Sequence, residues 1–115
     1  MELKQRVLLV DDEPALRRSI CRFLSRQGVE VEEAGDGAEA LAVLETRLFD
    51  AVITDYDMPR MNGLELTKKI RMQYPAITVI AMSAKDEHQA FTVAEAKAFF
   101  QKPFELHELI NVLKT

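Results

Sequence analysis

The sequence lacks the features that mark secreted and membrane proteins. Only one of its 115 residues, Cys21, is a cysteine, so no internal disulfide can form, which agrees with a reducing compartment. Charged residues interrupt every apolar run, and no segment reaches the length of a membrane span. The polar start, Met1–Arg6, does not have the composition of a secretory signal. These absences predict a cytoplasmic protein that does not interact with membranes.

The sequence also lacks a cluster of basic residues, and its formal net charge is −4. Domains that bind nucleic acid usually carry a positive footprint, so we expect no direct nucleic-acid partner. The two histidines, His88 and His107, lie far apart in sequence and do not suggest a zinc site. No linker or low-complexity segment interrupts the chain, whose length fits one domain over residues 1–115.

What the sequence has instead is a fivefold alternation of apolar runs and amphipathic segments. The apolar runs predict strands at about 6–10, 29–33, 50–54, 77–82 and 98–101. Helical spacing of apolar residues predicts helices at about 14–27, 38–46, 64–73, 87–95 and 105–114. Strands and helices that alternate with such short connections form a parallel sheet covered by helices on both faces, which is an α/β fold.

The apolar spacing also predicts which faces of the elements point inward. In the second helix the residues expected on the inner face are Ala38, Leu41 and Leu44. In the fourth helix, which is short and weakly amphipathic, they are Ala90, Val93 and Ala94. The second strand alternates valine with glutamate, so we expect it at an edge of the sheet with one side in water.

Polar side chains stand at the carboxyl ends of four predicted strands. They are Asp11 with Asp12, Asp55, Ser83 and Lys102. Because the carboxyl ends of parallel strands share one edge of the sheet, these groups should meet in one crevice. Clustered carboxylates repel one another unless a cation neutralises them, and Mg²⁺ prefers such oxygen ligands. Since a carboxylate also accepts phosphoryl groups, the pattern predicts phosphoryl transfer with a hard divalent cation.

Four sequence motifs resemble those of the response-regulator receiver domain of two-component signalling. They are VLLVDDEP at 7–14, DYDMPRMNG at 55–63, MSA at 82–84 and QKPF at 101–104. They occur in the order that the family has, and the resemblance extends over almost the whole chain. The resemblance implies a flavodoxin-like, doubly wound sheet of five parallel strands in the order 2-1-3-4-5, with five helices.

The resemblance also implies roles for the aspartates. Asp55 would be the phosphoacceptor, taking its phosphoryl group from a sensor histidine kinase or a histidine phosphotransfer protein. Asp12 would bind Mg²⁺, or another divalent cation such as Mn²⁺, directly. The further ligands would be Asp11, directly or through water, Asp55 itself and the backbone carbonyl of Asp57. Such a domain catalyses only its own phosphorylation and dephosphorylation, so we do not expect an enzyme with a separate substrate.

A conformational switch is the next implication of the resemblance. Ser83 and Lys102 would bind the phosphoryl oxygens, and the peptide bond before Pro103 would be cis. Phe99 falls on the family's switch-aromatic position, which turns inward when the Ser83 hydroxyl follows the phosphoryl group. Helix four, strand five and helix five would then present a changed surface to a downstream effector or an appended output domain. Homodimerisation on phosphorylation is a further expectation of this kind.

The sequence departs from the family just before strand five. The family's common Gly-Ala reads Glu95-Ala96 here, and the acidic pair that usually follows reads Lys97-Ala98. The interval from Ser83 to Lys102 is also shorter than usual. We therefore expect helix four to be short or irregular. Near the site, we hypothesise that Asp57 and Lys85 form an ion pair over the phosphoryl group that alters its access to water.

Other interpretations stay open at the level of sequence. The segment DYD at 55–57 resembles the nucleophile and acid/base pair of haloacid-dehalogenase phosphatases, but the acidic pair which that family places after its lysine is missing. A receiver-like module regulated by partner binding alone is the second alternative, motivated by the short fourth helix. The GxGxxA pattern at 35–40 matches a dinucleotide-binding fingerprint. It follows the second strand, and the chain is too short for two mononucleotide-binding halves, so we do not expect it to bind a dinucleotide.

Overall fold

The computed structural model describes residues 4–115, in which five strands and five helices alternate. The strands are β1 (Arg6–Val10), β2 (Glu30–Ala34), β3 (Ala51–Asp55), β4 (Thr78–Ser83) and β5 (Ala98–Gln101). The helices are α1 (Pro14–Arg26), α2 (Gly37–Leu44), α3 (Gly63–Gln73), α4 (His88–Val93) and α5 (His107–Leu113). No helix in this part of the chain is long and apolar enough to cross a membrane.

All five strands pair in parallel in the order β2-β1-β3-β4-β5, which confirms the predicted fold. Successive side chains of a strand point to opposite faces of the sheet, so the central strands supply two cores. From β1, Val7 and Leu9 pack with residues of α1 and α5, whereas Leu8 and Val10 pack with residues of α2 and α3. Burial on both faces explains why the central strands are continuous apolar runs in the sequence.

Strand β2 lies at an edge of the sheet, as its alternating sequence predicts. Val31 packs against the core under α1 and α5. The glutamates beside it form ion pairs at the rim, Glu30 with Arg6 at 3.6 Å and Glu32 with Arg47 at 3.0 Å. Charged side chains along an unpaired edge discourage pairing with another strand, so this edge is protected against aggregation.

Two of the predicted inner faces are wrong in part. In α2, Ala38 is exposed, because the pair Ala40 and Leu44, one turn apart, faces the core. In α4, Val93 is 77% exposed and Phe91 is fully buried. This helix has only six residues, as the departures from the family suggest, so one side chain dominates its inner face. The large aromatic ring gains more from burial than the valine does.

The turn after α4 contains a residue in the left-handed backbone region. Glu95 has φ 66° and follows the C-cap residue Ala94, a position where glycine is usual because it has no Cβ. The left-handed conformation therefore explains why glycine is favoured at this position, whereas this chain has a glutamate there. The Glu95 carboxylate lies 3.9 Å from Nε of Arg71, but the glutamate side chain is 74% exposed, so this pair contributes little.

We expect Glu95→Gly to raise the free energy of unfolding by about 1 kcal/mol, because the left-handed conformation is unfavourable for a residue with a Cβ. Thermal unfolding should show a Tm increase of about 4 °C. Glu95→Ala is the matched control, since it removes the same charge but keeps a Cβ, and its Tm should not rise. Equal Tm increases in both variants would show that the glutamate charge, and not the backbone conformation, destabilises the wild type.

Candidate functional site

The parallel sheet brings three carboxylates together at the carboxyl ends of β1 and β3. One oxygen from each of Asp11, Asp12 and Asp55 lies within 4.8 Å of the others. Asp11 and Asp55 are buried, with 1% and 5% of their surface exposed, whereas Asp12 is open to solvent. The convergence predicted from the strand ends is therefore present, with two carboxylates inside the crevice and one at its mouth.

The ammonium group of Lys102 enters this cluster from the end of β5. Nζ of Lys102 donates a hydrogen bond of 2.9 Å to Oδ1 of Asp55 and lies 3.9 Å from Oδ2 of Asp11. The backbone N–H of Lys102 donates to the carbonyl of Ser83 at 2.8 Å, which extends the β4–β5 ladder to the lysine. The peptide bond between Lys102 and Pro103 is cis, as predicted. The lysine backbone is thus held beside the site.

Burial makes ionisation of both Asp11 and Asp55 less favourable. Burial raises the pKa of Asp11, and the nearby charge of Asp55 adds to the effect against the opposing hydrogen bond from the Glu13 N–H. Burial also raises the pKa of Asp55, although Lys102 opposes the shift. Within residues 4–115, Oδ2 of Asp11 is buried and has no hydrogen-bond partner. An all-oxygen donor set with one unsatisfied carboxylate oxygen fits a Mg²⁺ or Mn²⁺ ion.

Ser83 ends β4 one residue beyond Met82, which is the register partner of Asp55. The serine is fully buried, and its Oγ accepts a hydrogen bond of 3.1 Å from the N–H of Lys85. That bond uses an oxygen lone pair and leaves the hydroxyl proton available to another acceptor. The role of Ser83 as a donor to an anion on Asp55 stays a prediction.

The hypothesised Asp57–Lys85 ion pair is not formed in the part of the chain that the structure describes. Both residues are exposed and lie on separate loops, where water solvates each charge and a pair gains little. The assignment of the Asp57 carbonyl as a metal ligand stays a prediction.

Gly63 shapes the site in a way that sequence reasoning missed. Its N–H donates to the carbonyl of Tyr56 at 2.9 Å, so the start of α3 lies directly against the chain that follows Asp55. A Cβ at this glycine would stand 2.1 Å from the Asp55 carbonyl oxygen. Asn62 and Glu65 form a capping box that fixes the helix start. The helix start was signalled in the sequence, since asparagine and glutamate at this spacing before an apolar stripe mark a helix N-terminus. The close approach of Gly63 to Asp55 was not.

Aromatic rings lie between the segment that follows Asp55 and α4. The ring of Tyr56, next to Asp55, contacts Phe91 edge-on with centroids 6.0 Å apart. Phe91 stacks on Phe99 at 5.6 Å, and Phe99 meets His88 at 6.2 Å. The residue at the predicted switch-aromatic position is thus packed against the buried residue of α4.

Comparison with known proteins identifies relatives for most of the chain. The sequence matches the family model of the response regulator receiver domain over residues 7–114. The response regulator MprA of Mycobacterium sp. (strain KMS) is 40% identical over 108 residues, which are 91% of this chain and 47% of the relative. MprA of Mycobacterium avium (strain 104) is 39% identical with the same coverage. The chain thus spans about half the length of the curated relatives it matches.

Solved structures show the same similarity along nearly the whole chain. The chemotaxis response regulator CheY4 of Vibrio cholerae superposes with a TM-score of 0.89 at 33% identity, covering 97% of this chain and 98% of that chain. The response regulator TrrA of Thermotoga maritima, solved in complex with Mg²⁺–BeF, superposes with a TM-score of 0.87 at 32% identity and 96% coverage of both chains.

We expect Gly63→Ala to destabilise the protein by about 1–3 kcal/mol, because the added methyl group meets backbone atoms that cannot move aside cheaply. Denaturant unfolding measures this change. Gly35→Ala is the control: a Cβ there would meet only side-chain atoms of Arg17 and Glu39 at 3.5 Å, an ordinary contact. Equal losses in both variants would contradict the assigned close approach of α3 to the segment that follows Asp55.

In the absence of divalent cations, Asp11→Asn should raise the free energy of unfolding by roughly 1 kcal/mol. The asparagine keeps an oxygen for the Glu13 N–H and removes one charge from the repelling cluster. Saturating Mg²⁺ should reverse the order, since the wild type then gains more binding free energy than the variant. Thermal unfolding with EDTA and with Mg²⁺ measures both effects. A variant less stable than wild type in EDTA would show that the favourable contacts of the Asp11 carboxylate outweigh the repulsion.

Proposed function

Since the chain belongs to the response-regulator receiver domain family of two-component signalling, we propose that it is a switch controlled by phosphorylation of Asp55. The observation that carries this proposal is the juxtaposition of Asp55 with Lys102 at 2.9 Å inside a cluster of three carboxylates. A helix cap or a structural aspartate has no need of that combination. The position of Ser83, one residue beyond the register partner of Asp55, adds support.

In the proposed reaction, a carboxylate oxygen of Asp55 attacks the phosphorus of a phosphohistidine. The new P–O bond replaces the P–N bond, and the electron pair of the P–N bond returns to the imidazole nitrogen. Lys102 and the Ser83 hydroxyl bind the oxygens of the transferred group, so its charge is met by a cation and a donor already in place. Asp11, Asp12 and Asp55, with the Asp57 carbonyl, would hold Mg²⁺ or Mn²⁺, which when bound neutralises charge on the transferring phosphoryl group.

The proposed partners follow from this reaction. A sensor histidine kinase or a histidine phosphotransfer protein supplies the phosphoryl group, and a downstream effector or an output domain responds to the changed surface of α4, β5 and α5. We propose no separate substrate that the domain turns over, and so no enzyme in the usual sense. Homodimerisation on phosphorylation is part of the same proposal. The Mg²⁺–BeF complex of the Thermotoga maritima relative supports the cation and acceptor assignments.

Membership of the receiver family argues against the haloacid-dehalogenase alternative. The other alternative, a module regulated by partner binding alone, makes a different chemical prediction. It requires no acyl phosphate on Asp55, so a phosphorylation experiment separates this module from the phosphorylation switch.

Incubation with acetyl phosphate and Mg²⁺ should add one phosphoryl group to the protein, detected by intact mass, and peptide mapping should locate it on Asp55. Asp55→Asn should remove the modification, whereas Asp57→Asn, two residues away and exposed, should keep it. Lys102→Met should slow the reaction by about a hundredfold, the usual cost of one lost donor to the transition state. A wild-type protein that gains no mass with either acetyl phosphate or phosphoramidate would favour the unphosphorylated module.

A further inference from the structure

Arg17, on the first turns of α1, contacts the backbone of the carboxylate cluster. Its Nη1 donates a hydrogen bond of 2.6 Å to the carbonyl oxygen of Asp11. Its Nε donates to Oε1 of Glu33 on β2 at 2.9 Å. The arginine side chain is only 16% exposed, so its planar fork is held between the strand and the loop.

The Asp11 carbonyl belongs to the peptide that joins Asp11 to Asp12. The N–H of Asp11 donates to the carbonyl of Ala34 at 3.1 Å, and its Oδ1 accepts from the N–H of Glu13 at 2.9 Å. With Arg17 on the carbonyl, both peptide groups of Asp11 and one side-chain oxygen are fixed. Because a peptide unit is planar, fixing this carbonyl also fixes the direction in which the chain reaches Asp12.

We propose that Arg17 is a positioning residue for cation binding: it orients the Asp11–Asp12 peptide so that both carboxylates face the site before the cation arrives. The inference rests on the proposed function, because it assigns a role in loading the same site. Outer-shell groups that orient metal ligands commonly change metal affinity by tenfold or more. Neither the sequence motifs nor the family match assigns this role to Arg17.

Two physical effects of Arg17 on the cation have opposite signs, which makes the proposal testable. As a positive charge near the cluster, the guanidinium repels a divalent cation, and its removal would tighten binding. As an orienting donor, it prepares the ligands, and its removal would weaken binding. Glu33 lies against the guanidinium and offsets much of its charge, so we expect orientation to dominate.

The chain offers a matched control in the next residue. Arg18 has the same charge and lies 3.7 Å from the other carboxylate oxygen of Glu33, but it is 61% exposed. Among the hydrogen bonds of residues 4–115, the donor to the Asp11 carbonyl is Arg17. Arg17→Lys is the conservative variant, since lysine keeps the charge but has no planar fork to hold Glu33 and Asp11 at once.

The experiment measures the Kd for Mg²⁺ by titration calorimetry on the full chain, together with the Tm in EDTA. We expect Arg17→Met to raise the Kd about tenfold. Arg17→Lys should raise it severalfold, and Arg18→Met should leave it within about twofold of wild type. The Tm in EDTA reports any loss of packing separately, because a purely structural role lowers that Tm without changing the Kd of the folded protein.

An unchanged or lower Kd in Arg17→Met would overturn the proposal, and so would a Kd in Arg17→Lys equal to that of wild type. The lysine variant keeps the test valid if Arg17→Met does not fold. Failure of the proposed function has a different signature, because then the wild type itself binds no Mg²⁺ and gains no phosphoryl group, and the role of Arg17 falls with it. Wild-type binding with an unaffected Arg17→Met variant overturns the role of Arg17 alone.

Discussion

The crowding of three carboxylates around one ammonium group is the interaction on which the rest of the site depends. Lys102 pairs with Asp11 and Asp55, and Asp12 lies in the same cluster, so when all four groups are ionised their net charge is −2. Burial makes this imbalance more costly, which is why the pKa values of Asp11 and Asp55 are raised. A divalent cation carries the charge that is missing. The electrostatic repulsion that destabilises the carboxylate cluster would therefore also favour the binding of a divalent cation.

The cluster is assembled by backbone geometry more than by side-chain reach. Parallel pairing places the ends of β1 and β3 side by side, and the bond from the Lys102 N–H to the Ser83 carbonyl fixes the end of β5 against β4. Gly63 lets α3 begin directly against the carbonyl of Asp55. Because these are main-chain contacts of the buried sheet, the fold itself fixes the backbone positions of the site residues, which suits a preorganised electrostatic site.

The parallel-sheet rule was sufficient to predict that Asp11, Asp12, Asp55, Ser83 and Lys102 would meet, because it depends only on strand ends. Features that depend on the path of a loop were not predictable in this way. The close approach of Gly63 to Asp55 and the reach of Arg17 to the Asp11 carbonyl follow from three-dimensional positions that periodicity does not encode. In α4, periodicity failed for another reason: a helix of six residues has too few turns to define a stripe, and the size of Phe91 decided its face.

The same short helix lies between the surroundings of Asp55 and the surface. Phe99 has no hydroxyl group, so its coupling to the surroundings depends on packing rather than on a hydrogen bond. Its ring stacks on Phe91, which is fully buried and in turn meets Tyr56 beside Asp55. Phe91 is buried, Tyr56 and Phe99 are half-buried, and closely packed side chains transmit a change of volume to their neighbours. A displacement of Phe99 would therefore disturb the packing of Phe91, which is the buried residue of α4, a helix with fewer than two turns.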